Sequence, residues 1–327
     1  MLKYILKRLG LAVLILLGVS LILYILVRCM PSNFVENIVM QMNNGGATIP
    51  QETIDALYKM YGLSDGSFWG IIKGYFSWLW SLMRFDLGTS FKFGVPVIQD
   101  IADHMSVSFI VSFIAIIFEY MIAIPLGVTA ATHQYSLRDY IITFLVVIGI
   151  SFPSFFFAQV IKDLLANKLG WFPPSAYEDL TSSLPTFLDH AYHLVLPIFT
   201  IVVLSIGGTV RYTRTNMLEV LNSDYIRTAR AKGLKESKVI YKHAFRNTMI
   251  PIVTMMAGIL PSLFSGSMIL EQVFDLPGIG ARAYQAMIAA DIPYIMGYNM
   301  FLAFLSVIGI LLTDLMYVVV DPRIKLT

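Results

Sequence analysis

The sequence predicts an all-α integral membrane protein, and three observations carry that reading. Of its 327 residues 57% are hydrophobic and only 13% charged, with a mean hydropathy of +0.72, whereas soluble domains hold roughly 45–50% apolar residues. Several uncharged runs reach the roughly 20 residues that an α-helix needs to cross a bilayer. The basic residues between those runs gather on one side, as the positive-inside rule requires. A net charge of +2 gives no footprint for nucleic acid, and the single Cys29 cannot form an intrachain disulfide.

The first run, 9–27, follows the basic start Lys3, Lys7 and Arg8. No small-residue cleavage site follows Arg28-Cys29-Met30-Pro31, so it reads as a retained span whose start is cytoplasmic. Residues 28–105 turn polar and irregular, with a flexible loop at Asn43-Asn44-Gly45-Gly46 and a short helix from Pro50 to Tyr61 closed by Gly62. The stretch 68–85 is apolar but short. It carries Lys73 and Gly74 inside and crowds Trp69, Trp78 and Trp80, which predicts an interfacial or docked amphipathic helix rather than a span. Five further spans are expected near 107–131, 140–160, 194–210, 249–270 and 294–320, giving six in all with both termini cytoplasmic. Only Arg28, Lys59, Lys73, Arg84, Lys92, Lys162, Lys168 and Arg282 then lie outside, whereas a seventh span at 68–85 would flip every later segment. The expected organisation is an N-terminal transmembrane helix (1–28), an extracellular segment (29–105) and a core domain (106–327).

The most charged stretch is 222–251, NSDYIRTARAKGLKESKVIYKHAFRNTMIP, between the fourth and fifth expected spans. Asn222, Ser223 and Asp224 suit an N-cap, no breaker interrupts Tyr225 to Lys232, and Gly233 suits a left-handed C′ position. A second helix is expected from Ser237 to Asn247, with Val239, Ile240, His243 and Ala244 on one face. Nothing in this hairpin holds a metal or activates a nucleophile. Its chemistry suits touching another protein and passing on movement.

Asp224-Tyr225-Ile226-Arg227-Thr228-Ala229-Arg230-Ala231-Lys232-Gly233, followed by His243-Ala244-Phe245-Arg246-Asn247 and Pro251, resembles the coupling loop of ABC-importer permeases, most closely the B-type permease of the dipeptide, oligopeptide and nickel group. Where the broader superfamily opens this loop with Glu-Ala-Ala, the chain has Arg227, Thr228 and Ala229; Gly233 keeps its place, and Pro251 lies farther on than in sugar importers. Leu17-Gly18-Val19-Ser20, Asp86-Leu87-Gly88-Thr89-Ser90, Val273 to Gly280, Asp291-Ile292-Pro293, and Asp314, Tyr317 and Asp321-Pro322-Arg323 resemble the same family, so the likeness runs from Leu9 to Arg323. It implies a six-helix type I permease in the cell membrane, paired with a second, similar permease. Two ATPase subunits, which carry the ATP and magnesium, would dock below, and an extracellular binding protein would deliver cargo. Arg227, Ala229, Arg230, Ala231, Lys232, Gly233 and Leu234 would meet the ATPase, small Ala229 and Ala231 leaving room for its groove. The cargo implied is an oligopeptide or dipeptide, the alternative being a nickel or metallophore complex.

The chain itself contains no Gly-x-x-x-x-Gly-Lys-Ser/Thr phosphate loop, no Gly-x-Ser-x-Gly elbow and no His-Glu-x-x-His pair. His104, His133, His190, His193 and His243 are scattered, so neither an enzyme, a resident cofactor nor a metal site is expected. A secondary transporter is a poorer alternative, for want of an obvious repeat or coupling-ion carboxylates. Ionisable groups inside spans are functional candidates because lipid penalises charge, and there are two, Glu119 and Asp314. Asp314 is placed to pair with a basic residue at the inner face. Glu119, with Ser262, Ser265 and Gly266, is a candidate for the translocation pathway, although a hydrogen bond to a neighbouring helix would equally account for it. Pro277, Gly278, Gly280, Asp291 and Pro293 form a turn-rich external segment suited to a gate or docking loop.

Overall fold

The computed structural model describes residues 2–30, 34–44, 50–60, 68–176, 186–255 and 258–320. Among them every regular element is helical, and the one strand-like feature is an isolated bridge between Thr89 and Pro96. Four helices are long and apolar enough to cross a membrane, or up to six if each of two bent pairs counts as one span.

Helix α1 (Leu2–Arg28) begins before the apolar run and keeps Lys3, Lys7 and Arg8 on its first turns. A helix α2 (Phe34–Asn44) stands where irregular chain was expected; it is amphipathic and buries Phe34 and Val35. Asn43 and Asn44 end that helix, and Gly45 and Gly46 lie outside the described residues. Helix α3 (Gln51–Met60) follows Pro50 as expected, while Tyr61 and Gly62 lie outside the described residues. Helix α4 (Phe68–Met83) has 16 residues, about 24 Å at 1.5 Å per residue and short of a hydrocarbon core. It docks on α1: Tyr24 and Val27 pack with Ile71, Tyr75 and Trp78, and the Ser20 and Tyr75 hydroxyls meet at 2.9 Å. Its Trp69, Phe76 and Trp80 stay exposed.

Helices α5 (Val97–Thr132) and α8 (Thr186–Leu221), 36 residues each, form the central pair and overrun the expected spans at both ends. Gly127 allows their close approach, since a Cβ there would lie 2.6 Å from the Thr213 Cβ. The expected span 140–160 is not one helix: α6 (Leu137–Ser151) and α7 (Ser154–Ile161), which runs on as a π-helical turn Lys162–Lys168, meet at 100°. The cause is Pro153, whose ring removes a donor and whose ψ of 134° restarts the chain as an N-cap. The expected span 249–270 is broken too, into α11 (Arg246–Met255), α12 (Ile259–Ser265) and α13 (Met268–Val273), the last break falling at Gly266 with φ of +64°. After α14 (Ile279–Ile288) the chain ends in α15 (Ile292–Val320), packed along α1. There Asp314 meets the Arg8 guanidinium at 3.2 Å, the basic partner expected for it.

Candidate functional site

The hairpin's first helix, α9 (Asp224–Ala231), starts at Ser223, whose extended backbone makes it the N-cap residue although its hydroxyl turns back to the Val220 carbonyl. It stops in a Schellman turn: the Leu234 amide donates to the Ala229 carbonyl at 3.4 Å and the Gly233 amide to that of Arg230 at 2.9 Å. This closure needs a left-handed residue after the cap, and Gly233 supplies φ of +73°. Across the turn, Arg230 grips Glu236 through Nη2 at 2.7 Å and Nε at 3.2 Å. That guanidinium bond holds the Glu236 carboxyl below its ordinary range, and the carboxylate in turn raises Arg230.

The second helix departs from the expected pattern. A short α10 (Glu236–Lys238) passes into a π-helical turn, Val239–Phe245, before α11. The wider turn brings Val239 and Ala244, five residues apart, onto one fully buried face, whereas an α-period would have placed Val239, Ile240, His243 and Ala244 together. That face and Ile226 and Ala229 of α9 pack on Val128 and Ala131 of α5 and Met217 and Leu221 of α8. The hairpin is therefore bolted to the C-terminal ends of the central pair.

Its outer face is basic. The Arg227 side chain is 72% exposed, and Arg230, Ala231, Lys232, Gly233, Lys235, Lys238 and Lys242 are exposed with it. Ala229 corrects the expectation that its small side chain receives a partner: it is 7% exposed and fills the inner core. Leu234, half-buried, packs on the same core as the apolar partner of the Schellman turn. Among the described residues nothing lies within 4 Å of the Cβ position at Gly233.

The other expected site residues do not converge. Glu119 is nearly buried and accepts a hydrogen bond from the Thr209 hydroxyl, which ties α5 to α8. Ser262 donates to the Ile259 carbonyl at 2.7 Å and Ser265 to that of Ser262 at 3.3 Å, so both serve their own helix. Gly266 instead faces Glu271. Around the start of α14, Pro277 is exposed and Gly278 and Gly280 are buried, while Pro293 lies against Gly88. Asp291 is not offered for docking: it is 0% exposed, caps α15 through the Tyr294 amide at 3.2 Å, and accepts from the Ser90 hydroxyl at 2.6 Å and the Lys92 amide at 3.0 Å.

Four buried carboxylates, Asp139, Asp100, Asp189 and Glu271, escaped the sequence reading because each lies at a helix end rather than within an apolar run. Asp139 takes a bidentate bond from Arg214 of α8, both contacts at 2.8 Å. Asp100 pairs with Arg282 of α14 at 2.5 Å, and that guanidinium lies over the Phe93 ring at 3.7 Å. Glu271 is 4% exposed. No local pattern marks the first two, since Arg214 and Arg282 lie 75 and 182 residues away from their acids. Among the described residues no cluster of His, Cys, Asp or Glu could hold a metal ion.

A helical bundle with several helices apolar enough to cross a membrane, carrying a basic hairpin packed on its two central helices, has the build of a membrane-embedded transport subunit. More particularly, the chain belongs to the binding-protein-dependent transport system inner membrane components, whose family model matches residues 123–326. It is 36% identical to the oligopeptide transport system permease protein AppB of Bacillus subtilis, over 99% of this chain and 100% of that one. It is 35% identical to a putative peptide transport system permease protein of Brucella abortus, over 98% of each. The dipeptide transport system permease protein DppB of Lactococcus lactis subsp. cremoris is 33% identical over the full length of both. The chain is thus a translocation component of a membrane transport system rather than an enzyme.

Proposed function

We propose that this chain is one permease subunit of an ATP-driven importer that takes up oligopeptides or dipeptides by alternating access. The observation that carries the mechanism is the hairpin: one face fixed to α5 and α8, the other basic, exposed and turned tightly at Gly233. In this reading Arg227, Arg230, Ala231, Lys232 and Gly233 meet an ATPase subunit, while Ala229 and Leu234 hold the loop's shape from inside. Closure of two ATPases on ATP and magnesium would draw this hairpin toward its counterpart on a second permease. Because the hairpin is packed on the central helices, the whole bundle would rock with it, between packings that ATP and a loaded binding protein favour differently. Six spans, cytoplasmic termini and an external segment at 29–105 complete the arrangement, with 106–327 as the moving core. The peptide cargo follows from the relatives, which are oligopeptide and dipeptide transport system permease proteins.

The test is uptake by cells that carry the transporter with and without this chain, offered labelled di-, tri- and pentapeptides beside a labelled nickel chelate. Peptide entry that depends on the chain is expected. Nickel entry alone would overturn the cargo, and entry of neither would overturn the importer.

A further inference from the structure

Glu271 is a nearly buried carboxylate, and among the described residues no cation pairs with it; Arg282 pairs with Asp100 and Lys162 with Asp275. It accepts instead from the Ser108 hydroxyl of α5 at 2.7 Å and from the Ala281 amide, in the first turn of α14, at 2.7 Å. The amides of Ser267 and Gly280 are directed at it as well. Ser108 in turn accepts from the Ile279 amide at 2.9 Å. The first turn of α14 thus has its orphan donors filled by two side chains from other helices, and its positive end faces a carboxylate. Glycines make the enclosure. A Cβ would overlap Oε1 at Gly266, would lie 2.5 Å from Oε2 and from the Ser108 oxygen at Gly278, and would lie 2.9 Å from Oε2 at Gly280.

Gly266 is also where α12 ends in a left-handed turn, a natural hinge, and Glu271 spans it like a bolt. Hydrogen bonds to a charged acceptor in a water-poor site are strong, so the three pieces they join resist separate movement. We propose that Glu271 is a positioning residue for transport, a latch that fixes α14 and the loop before it to α5 and to the hinge at Gly266. The outer gate then moves with the transmembrane helices instead of independently of them. This rests on the reading of the outer segment as a gate.

The experiment uses the whole complex in lipid vesicles, with Cys29→Ser and spin labels at Ile98 of α5 and Met287 of α14, both exposed. Glu271→Gln turns an amide N–H toward donors, and Ser108→Ala removes one donor with little change of shape. Both are expected to broaden the distance distribution and to lower peptide uptake per ATP by about tenfold, with the amount of complex in the membrane unchanged. If Glu271→Gln fails to assemble, Ser108→Ala decides. An unchanged distribution in Ser108→Ala overturns the latch, and a broadened one with normal coupling overturns its part in transport. The distance needs no cargo, so its failure is distinct from absence of peptide uptake by the unaltered complex, which would overturn the importer reading.

Discussion

At the scale of single residues, the left-handed backbone of Gly233 and the bond held by Glu119 have different consequences. Any Cβ at Gly233 adds about 1–2 kcal/mol of local strain, yet meets no atom within 4 Å. Gly233→Ala is therefore expected to loosen the hairpin turn while the chain still reaches the membrane, measurable as faster amide exchange over 229–236. Glu119 behaves otherwise. A glutamine there keeps an oxygen for the Thr209 hydroxyl, so Glu119→Gln should leave uptake within about twofold, as a helix–helix bond of modest worth implies. A loss of uptake beyond tenfold would return Glu119 to the pathway.

At the scale of elements, the hairpin and the bent α6–α7 pair depend on charge pairs at helix ends. The folded-state pKa of Glu236 is depressed by Arg230, so this bond supports the hairpin above the ordinary carboxylate range and its contribution is lost as pH falls through the depressed value. Exchange of the 230–236 amides should rise on that acid side, and Glu236→Gln should abolish the pH step. An exchange profile that is flat in both proteins would remove the bond from the account. Asp139 ties α6 to α8 through Arg214, and Asp139→Ala leaves a partly buried guanidinium unpaired. The expected cost is about 2 kcal/mol, seen as a lower unfolding temperature in detergent. The double variant with Arg214→Leu should recover part of that loss.

At the scale of the molecule, most of the architecture was legible in the sequence for one reason: lipid forces long apolar runs into helices, and those runs cannot be hidden. Both ends of the hairpin helix α9 were legible as well, because Gly233 and the residues before Asp224 announce a stop and a start. What stayed hidden was set by tertiary contact. The π-helical turn at Val239–Phe245 follows from packing against α5 and α8 rather than from local preference. The inward place of Ala229 follows from which face the core claims. Pro153 breaks the expected span 140–160, and the angle of 100° between α6 and α7 is not written in that residue alone. Asp100 and Asp139 were illegible because Arg282 and Arg214 lie far away in sequence, and Glu271 because the hydroxyl it meets, on Ser108, does too.

The central claim is that movement enters this bundle through the hairpin turn, and the most direct measurement is ATP-driven uptake of a labelled tripeptide into vesicles holding the assembled complex. Gly233→Trp is compared with Gly170→Trp, a second exposed left-handed glycine with open space around it but far from the hairpin in sequence. The expected result is loss of uptake in Gly233→Trp and retention in Gly170→Trp, at equal amounts of chain in the membrane. Equal uptake by the two variants would contradict the account.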